Sequence, residues 1–119
     1  MALVLITDDA AFTRRMIRKA FKDTDHLILE ASNGKECLDM CDAHSPDCII
    51  LDLLMPELDG FSVLETLQQQ GSKVPVIVLS ADIQDSIRQK CLDLGAVTML
   101  KKPPSSSQIL EAIDRALQN

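Results

Sequence analysis

The sequence predicts an α/β domain: a parallel five-stranded sheet with helices on both faces. Three observations predict it. Short apolar runs of strand length alternate five times with longer amphipathic segments of helical period. Two of the runs, "DCIILDL" at 47–53 and "PVIVL" at 75–79, are almost continuously apolar, as central parallel strands buried on both sides must be. Turn and cap residues fall between the segments where such a reading needs them, and strict β-α alternation implies parallel strands joined by right-handed crossovers.

Taken in order, residues 2–7 ("ALVLIT") form the first strand, and residues 11–22 a helix whose apolar face carries Phe12, Met16 and Ala20. Arg14, Arg15, Arg18 and Lys19 are left for its polar side. Residues 27–31 ("LILEA") make the second strand, and Asn33 is the expected N-cap of a helix over 34–43. The third strand is 47–53, followed by a helix over 60–70 with Asp59 as N-cap and Gly71 past its end. Strand 75–79 precedes a helix over 84–94 that ends at Gly95. Strand 97–101 ("VTMLK") leads through "SSS" at 105–107, a loop and N-cap, into a helix over 106–118. That last helix has Ile109, Leu110, Ile113, Ala116 and Leu117 as its stripe.

Composition narrows the class. A chain of 119 residues, 46% hydrophobic and 25% charged, suits one folded domain over residues 1–119. Three Phe and no Trp or Tyr leave the core to aliphatic residues and Met. A formal charge of −6 argues against a nucleic-acid partner, whose phosphates require clustered cations. No apolar run reaches the roughly 20 residues that insert into a membrane, and the N-terminus lacks the pattern of a signal peptide. A cytoplasmic protein is expected, with Cys37, Cys41, Cys48 and Cys91 as reduced and mostly buried thiols. Cys37, Cys41 and His44 share a helical face, yet no fourth metal ligand accompanies them.

In a parallel sheet all carboxyl ends share one edge, where ligand sites of open α/β sheets form. That edge collects Asp8 and Asp9 after the first strand, Asp52 near the end of the third, Ser80 after the fourth and Lys102 after the fifth. Three carboxylates in one place raise one another's proton affinity and call for a cation. An all-oxygen ligand set favours Mg2+. A carboxylate beside a divalent cation, an ammonium and a hydroxyl suits a phosphoryl group, and Asp52 is the expected nucleophile.

The stretches "LITDDA" at 5–10, "IILDLLMPELDG" at 49–60, "VIVLSA" at 76–81 and "LGAVTMLKKPP" at 94–104 resemble the receiver domain of two-component response regulators, over essentially the whole chain. The resemblance implies a flavodoxin-like sheet in the order 2-1-3-4-5 with five helices. It implies Asp52 as phospho-acceptor, with Mg2+ held by Asp9 directly, by Asp8 partly through water, by Asp52, and by the backbone carbonyl of Leu54. Ser80 takes the position of the hydroxyl that binds the phosphoryl group, and Ala81 the small residue beside it. Lys102, directly before Pro103, fits the family's lysine better than Lys101 does, and the Lys102–Pro103 peptide is expected to be cis. Met99 stands where many relatives carry the aromatic switch residue. Leu54 and Asp82 flank the path of the water that attacks the aspartyl phosphate.

On this reading the chain is a phospho-acceptor that catalyses its own phosphorylation and dephosphorylation, and not a separate enzyme. Its expected partners are a sensor histidine kinase or phosphotransfer protein, with a small acyl phosphate as a further donor, and a downstream protein. Signalling is expected at the surface of the fourth helix, fifth strand and fifth helix. A receiver domain cut from a larger regulator or hybrid kinase has the same sequence signature. An aspartyl-phosphate phosphatase is disfavoured because its nucleophile follows the first strand and it needs a cap insertion. A flavin carrier is disfavoured by the acidic "TDDAA" loop and the missing aromatic flanks. A receiver-like module that works without phosphorylation would have lost an acid or the lysine, and none is lost.

Overall fold

The computed structural model describes residues 1–118. Its elements alternate without exception: β1 (Leu3–Thr7), α1 (Ala11–Lys19), β2 (Leu27–Ala31), α2 (Gly34–His44), β3 (Cys48–Asp52), α3 (Gly60–Gln69), β4 (Val76–Ser80), α4 (Asp85–Asp93), β5 (Thr98–Lys101) and α5 (Ser106–Leu117). The strands are all parallel, in the order β2-β1-β3-β4-β5. The chain therefore steps outward from β1 to β2 and crosses back to β3. The connections after β1 and β3 leave in opposite directions, and a crevice opens between them.

Alternation along the strands sorts the core into two layers. Val4, Ile6, Cys48, Ile50, Ile77 and Leu79 pack against Ile17 of α1 and Ile109 and Ile113 of α5. Leu5, Ile49, Leu51, Val78 and Met99 pack against Cys37 of α2, Val63, Leu64 and Leu67 of α3, and Cys91 of α4. Every residue of β3 and β4 is buried. Each large aliphatic side chain removed from water in this way contributes roughly 1.5–3 kcal/mol.

Local chemistry sets the helix ends. The Asn33 and Asp59 side-chain Oδ1 atoms accept from the Glu36 and Ser62 amides at 2.8 and 2.9 Å. Ser105 and Gln108 form a reciprocal capping box at α5. Gly71 and Gly95 adopt φ of 71° and 98° just past α3 and α4. At each, the glycine amide and the following amide close back onto the last turn, Gly71 to Gln68 and Ser72 to Leu67, Gly95 to Leu92 and Ala96 to Cys91.

Helix α1 departs from the expected register. Phe12 is 73% exposed and Met16 only half-buried, while Ile17 and Ala20, with Phe21 beyond them, face the sheet. The reason is positional: α1 begins at the carboxyl rim of the sheet, so its first turn stands beyond the surface it covers. The helix also stops at Lys19, because the amides of Ala20, Phe21 and Lys22 bond three residues back and tighten the chain into turns.

Gly60 matters for the crevice. Its amide donates to the Leu53 carbonyl at 2.9 Å, folding the loop after β3 back onto that strand. A Cβ at this position would stand 2.8 Å from the Asp52 carbonyl oxygen and 2.8 Å from Leu53 Cα. Gly60→Ala is expected to cost about 2 kcal/mol, read as a fall in Tm of about 5–10 °C; an unchanged Tm would contradict this packing.

Among the described residues, no helix is long and apolar enough to cross a membrane. All four cysteines are free, with Cys37, Cys48 and Cys91 buried. Burial pushes the Cys48 thiol up to about 12. His44 is exposed while Cys37 faces the core, and the cluster of potential metal ligands among the described residues is Asp8, Asp9 and Asp52 instead.

Candidate functional site

Asp8 and Asp52 flank the crevice at the point where the strand order reverses. Asp8 follows the last residue of β1, and its amide extends the ladder by donating to the Ala31 carbonyl at 3.1 Å. Asp52 is the last residue of β3. Both are nearly inaccessible, at 1% and 3% exposure. Strand alternation places Asp8 with Val4 and Ile6, and Asp52 with Cys48 and Ile50, on the α1/α5 side.

The same alternation separates the two lysines. Leu100 belongs to the α1/α5 layer, so Lys102 follows it toward the acids and Lys101 turns away, exposed. Lys102 Nζ donates to Asp8 Oδ2 and to Asp52 Oδ1, both at 2.9 Å. Its amide donates to the Ser80 carbonyl at 2.9 Å, and the Lys102–Pro103 peptide is cis. Asp8 Oδ1 accepts from the Ala10 amide at 2.9 Å.

Burial pushes the Asp52 carboxyl above the usual range; the Lys102 hydrogen bond pulls it down, Asp8 and Asp9 push it up again, and the balance stays raised. Burial acts to lower Lys102, but its hydrogen bonds to Asp8 and Asp52 outweigh that and hold the ammonium above the ordinary lysine value. One ammonium thus faces three carboxylates. Oxygens of Asp8, Asp9 and Asp52 lie within 4.8 Å of one another. The donors are hard oxygens with no imidazole or thiolate among them, and the residues present fit Mg2+.

The remaining expected residues are placed less tightly. Ser80, the last residue of β4, is buried, and its Oγ accepts from the Asp82 amide at 3.1 Å instead of bonding Asp52 or Lys102. Ala81 and Asp82 are exposed, and Asp82 Oδ1 accepts from the Gln84 amide. Leu54 is 69% exposed two residues past the acceptor candidate. Met99 lies in the core with Val76, Val78 and Cys91, turned inward.

Sequence reasoning missed Arg14, which it assigned to the solvent side of α1. Arg14 Nη1 donates to the Asp8 backbone carbonyl at 2.7 Å and Nε to Glu30 Oε1 at 2.9 Å. The available signal was Glu30 itself, the one charge in the apolar run "LILEA", opposite an Arg14/Arg18 pair spaced by one helical turn. A groove of about 690 Å3 between α1 and β2, lined by Arg15, Phe21, Lys22 and Leu27, does not include the acids.

Fold and site together define a flavodoxin-like module whose acidic groups gather at the switch point of the sheet. The chain belongs to the response regulator receiver domain family, whose profile matches residues 4–114, and so to two-component signalling. It is 36% identical over 115 residues to the chemotaxis protein CheY of Bacillus subtilis, covering 96% of each chain. It is 38% identical over 107 residues to a protein-glutamate methylesterase/protein-glutamine glutaminase of Treponema denticola, covering 87% of this chain and 29% of that protein. Among solved structures, the Francisella response regulator 1452 receiver domain superposes with a TM-score of 0.93 at 30% identity, covering 99% and 98% of the two chains. The Vibrio cholerae chemotaxis protein CheY4 gives 0.91 at 28%, covering 98% and 99%.

Proposed function

We propose that Asp52 accepts a phosphoryl group from the phosphohistidine of a sensor histidine kinase or a phosphotransfer protein. The observation that carries this reading is the buried pair Asp8 and Asp52 bridged by Lys102 Nζ at 2.9 Å to each, at the switch point of the sheet. Asp8, Asp9, Asp52 and the Leu54 carbonyl are the groups that would hold Mg2+, which when bound neutralises charge on the phosphoryl oxygens. A carboxylate oxygen of Asp52 attacks phosphorus, the P–N bond to the donor imidazole breaks, and an acyl phosphate forms. Lys102 then exchanges its bond to Asp52 Oδ1 for one to a phosphoryl oxygen. Ser80 Oγ, released from the Asp82 amide, donates to another, with Ala81 leaving room.

Pulling Ser80 inward shifts the loop before α4 and so biases a pre-existing equilibrium of the α4, β5 and α5 surface, where a downstream protein docks. Met99, flexible and already inward, takes the part of a switch residue without an aromatic ring. The module works in the cytoplasm and is no separate enzyme; acceptor and catalyst are one chain.

Beryllofluoride, a phosphoryl mimic, tests this reading through backbone amide NMR shifts. Mg2+ alone is expected to shift amides next to the groups that would hold it. Shifts at residues 80–82 are expected only with Mg2+ and beryllofluoride together, and shifts at 80–82 that persist in Asp52→Ala would overturn the assignment. The Leu54 side chain cannot orient a hydrolytic water, so Leu54→Asn is expected to hasten loss of the acyl phosphate several-fold. An unchanged decay rate would remove Leu54 from that role.

A further inference from the structure

We infer that Arg14 is a positioning residue for the acidic loop after β1, and that with Glu30 it sets the affinity of the site for its divalent cation. This rests on the reading of Asp8, Asp9 and Asp52 as the metal-holding groups. The loop carries two of the three acids and is tied down by the Asp8 amide on β2, the Ala10 amide on Asp8 Oδ1 and Lys102 Nζ on Asp8 Oδ2. Arg14 adds an anchor of a different kind. From the second turn of α1 its guanidinium reaches back six residues to the Asp8 carbonyl at 2.7 Å, while its Nε donates to Glu30 Oε1 at 2.9 Å.

Glu30 lies on β2 opposite Ile6 in the β1 ladder, so the strut runs from the edge strand through α1 to the loop. Its members are shielded, the Arg14 side chain being 17% exposed and that of Glu30 35%. The planar fork of an arginine can serve two acceptors in fixed directions at once; a lysine at this position cannot. Arg18 Nη1 also donates to Glu30, through Oε2 at 2.9 Å, but makes no contact with the loop.

Charge and position predict opposite signs. Arg14 is a cation near the site, so as a charge alone it repels Mg2+, and removing it would tighten binding. As a strut it holds Asp8 and Asp9 in the arrangement that binds, and removing it loosens binding. Outer groups that orient metal-holding residues are typically worth about 10-fold or more in affinity.

The experiment is a Mg2+ titration of the full chain followed by amide NMR shifts, with Arg14→Met, Arg14→Lys and Arg18→Met beside the wild type. The strut predicts about 10-fold weaker binding in Arg14→Met, a clear loss in the charge-preserving Arg14→Lys, and wild-type affinity in Arg18→Met. The same spectra report whether each variant is folded, and Arg14→Lys keeps the test decisive should Arg14→Met be lost. Wild-type Mg2+ binding with equal or tighter binding in both Arg14 variants would overturn this inference alone. A wild type that binds no Mg2+ would overturn the reading of the acidic cluster beneath it.

Discussion

Lys102→Met is expected to destabilise the metal-free protein by about 3–5 kcal/mol. Among the described residues, Lys102 is the one cation hydrogen-bonded to the side chains of Asp8 and Asp52, carboxylates at 1% and 3% exposure. Without it both are left buried and uncompensated, facing each other and Asp9. Against a typical total of roughly 5–15 kcal/mol this is a large share of the fold's stability.

The loss carries a pH signature with two limbs. Asp52 already sits above the usual carboxyl range through burial, and removing the ammonium pushes it further. Protonation in mild acid therefore relieves the variant, and its deficit shrinks as pH falls through the raised Asp52 value. On the alkaline side, Lys102 is held above its ordinary value. Its contribution is fully present below the unfolded lysine value of about 10.4 and is lost as pH rises through the folded one. The wild type shows that alkaline loss, and the variant lacks it. Denaturant unfolding across the pH range reads both limbs; a small deficit independent of pH would contradict the account.

Asp52→Asn is expected to raise the stability of the metal-free protein while abolishing phosphoryl uptake. The sign follows from the direction of the Asp52 shift, in which burial outweighs the help of Lys102. For a carboxyl whose folded value is raised, the charged form costs stability at every pH above that value. The cost fades as pH falls toward the unfolded value of about 3.9. Asparagine removes the charge, and Lys102 keeps Asp8 as its partner. Mg2+ is expected to reverse the order, because ligand binding stabilises only what it binds and the variant has lost one of the three carboxylates that would hold the metal. A Tm of Asp52→Asn below that of the wild type without metal, or an equal Mg2+ increment in both, would contradict this.

Much of this architecture was legible because its signals are local. Asn33, Asp59, Ser105, Gly71 and Gly95 act within one turn of where they stand, and each does what its residue type suggests. The acids and Lys102 were legible because they interrupt or end apolar runs whose strands share an edge. Strand order was not: β-α alternation permits several orders, and 2-1-3-4-5 came from family resemblance. In α1 two apolar sets compete, Phe12 and Met16 against Ile17 and Phe21. The choice between them depends on where the sheet ends beneath the helix, which no periodicity records. Arg14 was misplaced for a related reason: its acceptor on the loop is a backbone carbonyl, which leaves no trace in the sequence, and only its other acceptor, Glu30, gave a signal. Lys102 was chosen over Lys101 on its place directly before Pro103, and the strand alternation that puts Leu100 in the α1/α5 layer turns Lys102 toward the acids.

The central claim is that Asp52 is the phosphoryl acceptor and that the site works with Mg2+. Intact-mass measurement after incubation with acetyl phosphate tests it most directly, on the wild type and Asp52→Asn, with Mg2+ and with chelator. The account predicts one added phosphoryl group on the wild type with Mg2+, and none with chelator or in the variant. An equal gain in mass in Asp52→Asn, or in the wild type under chelator, would contradict it.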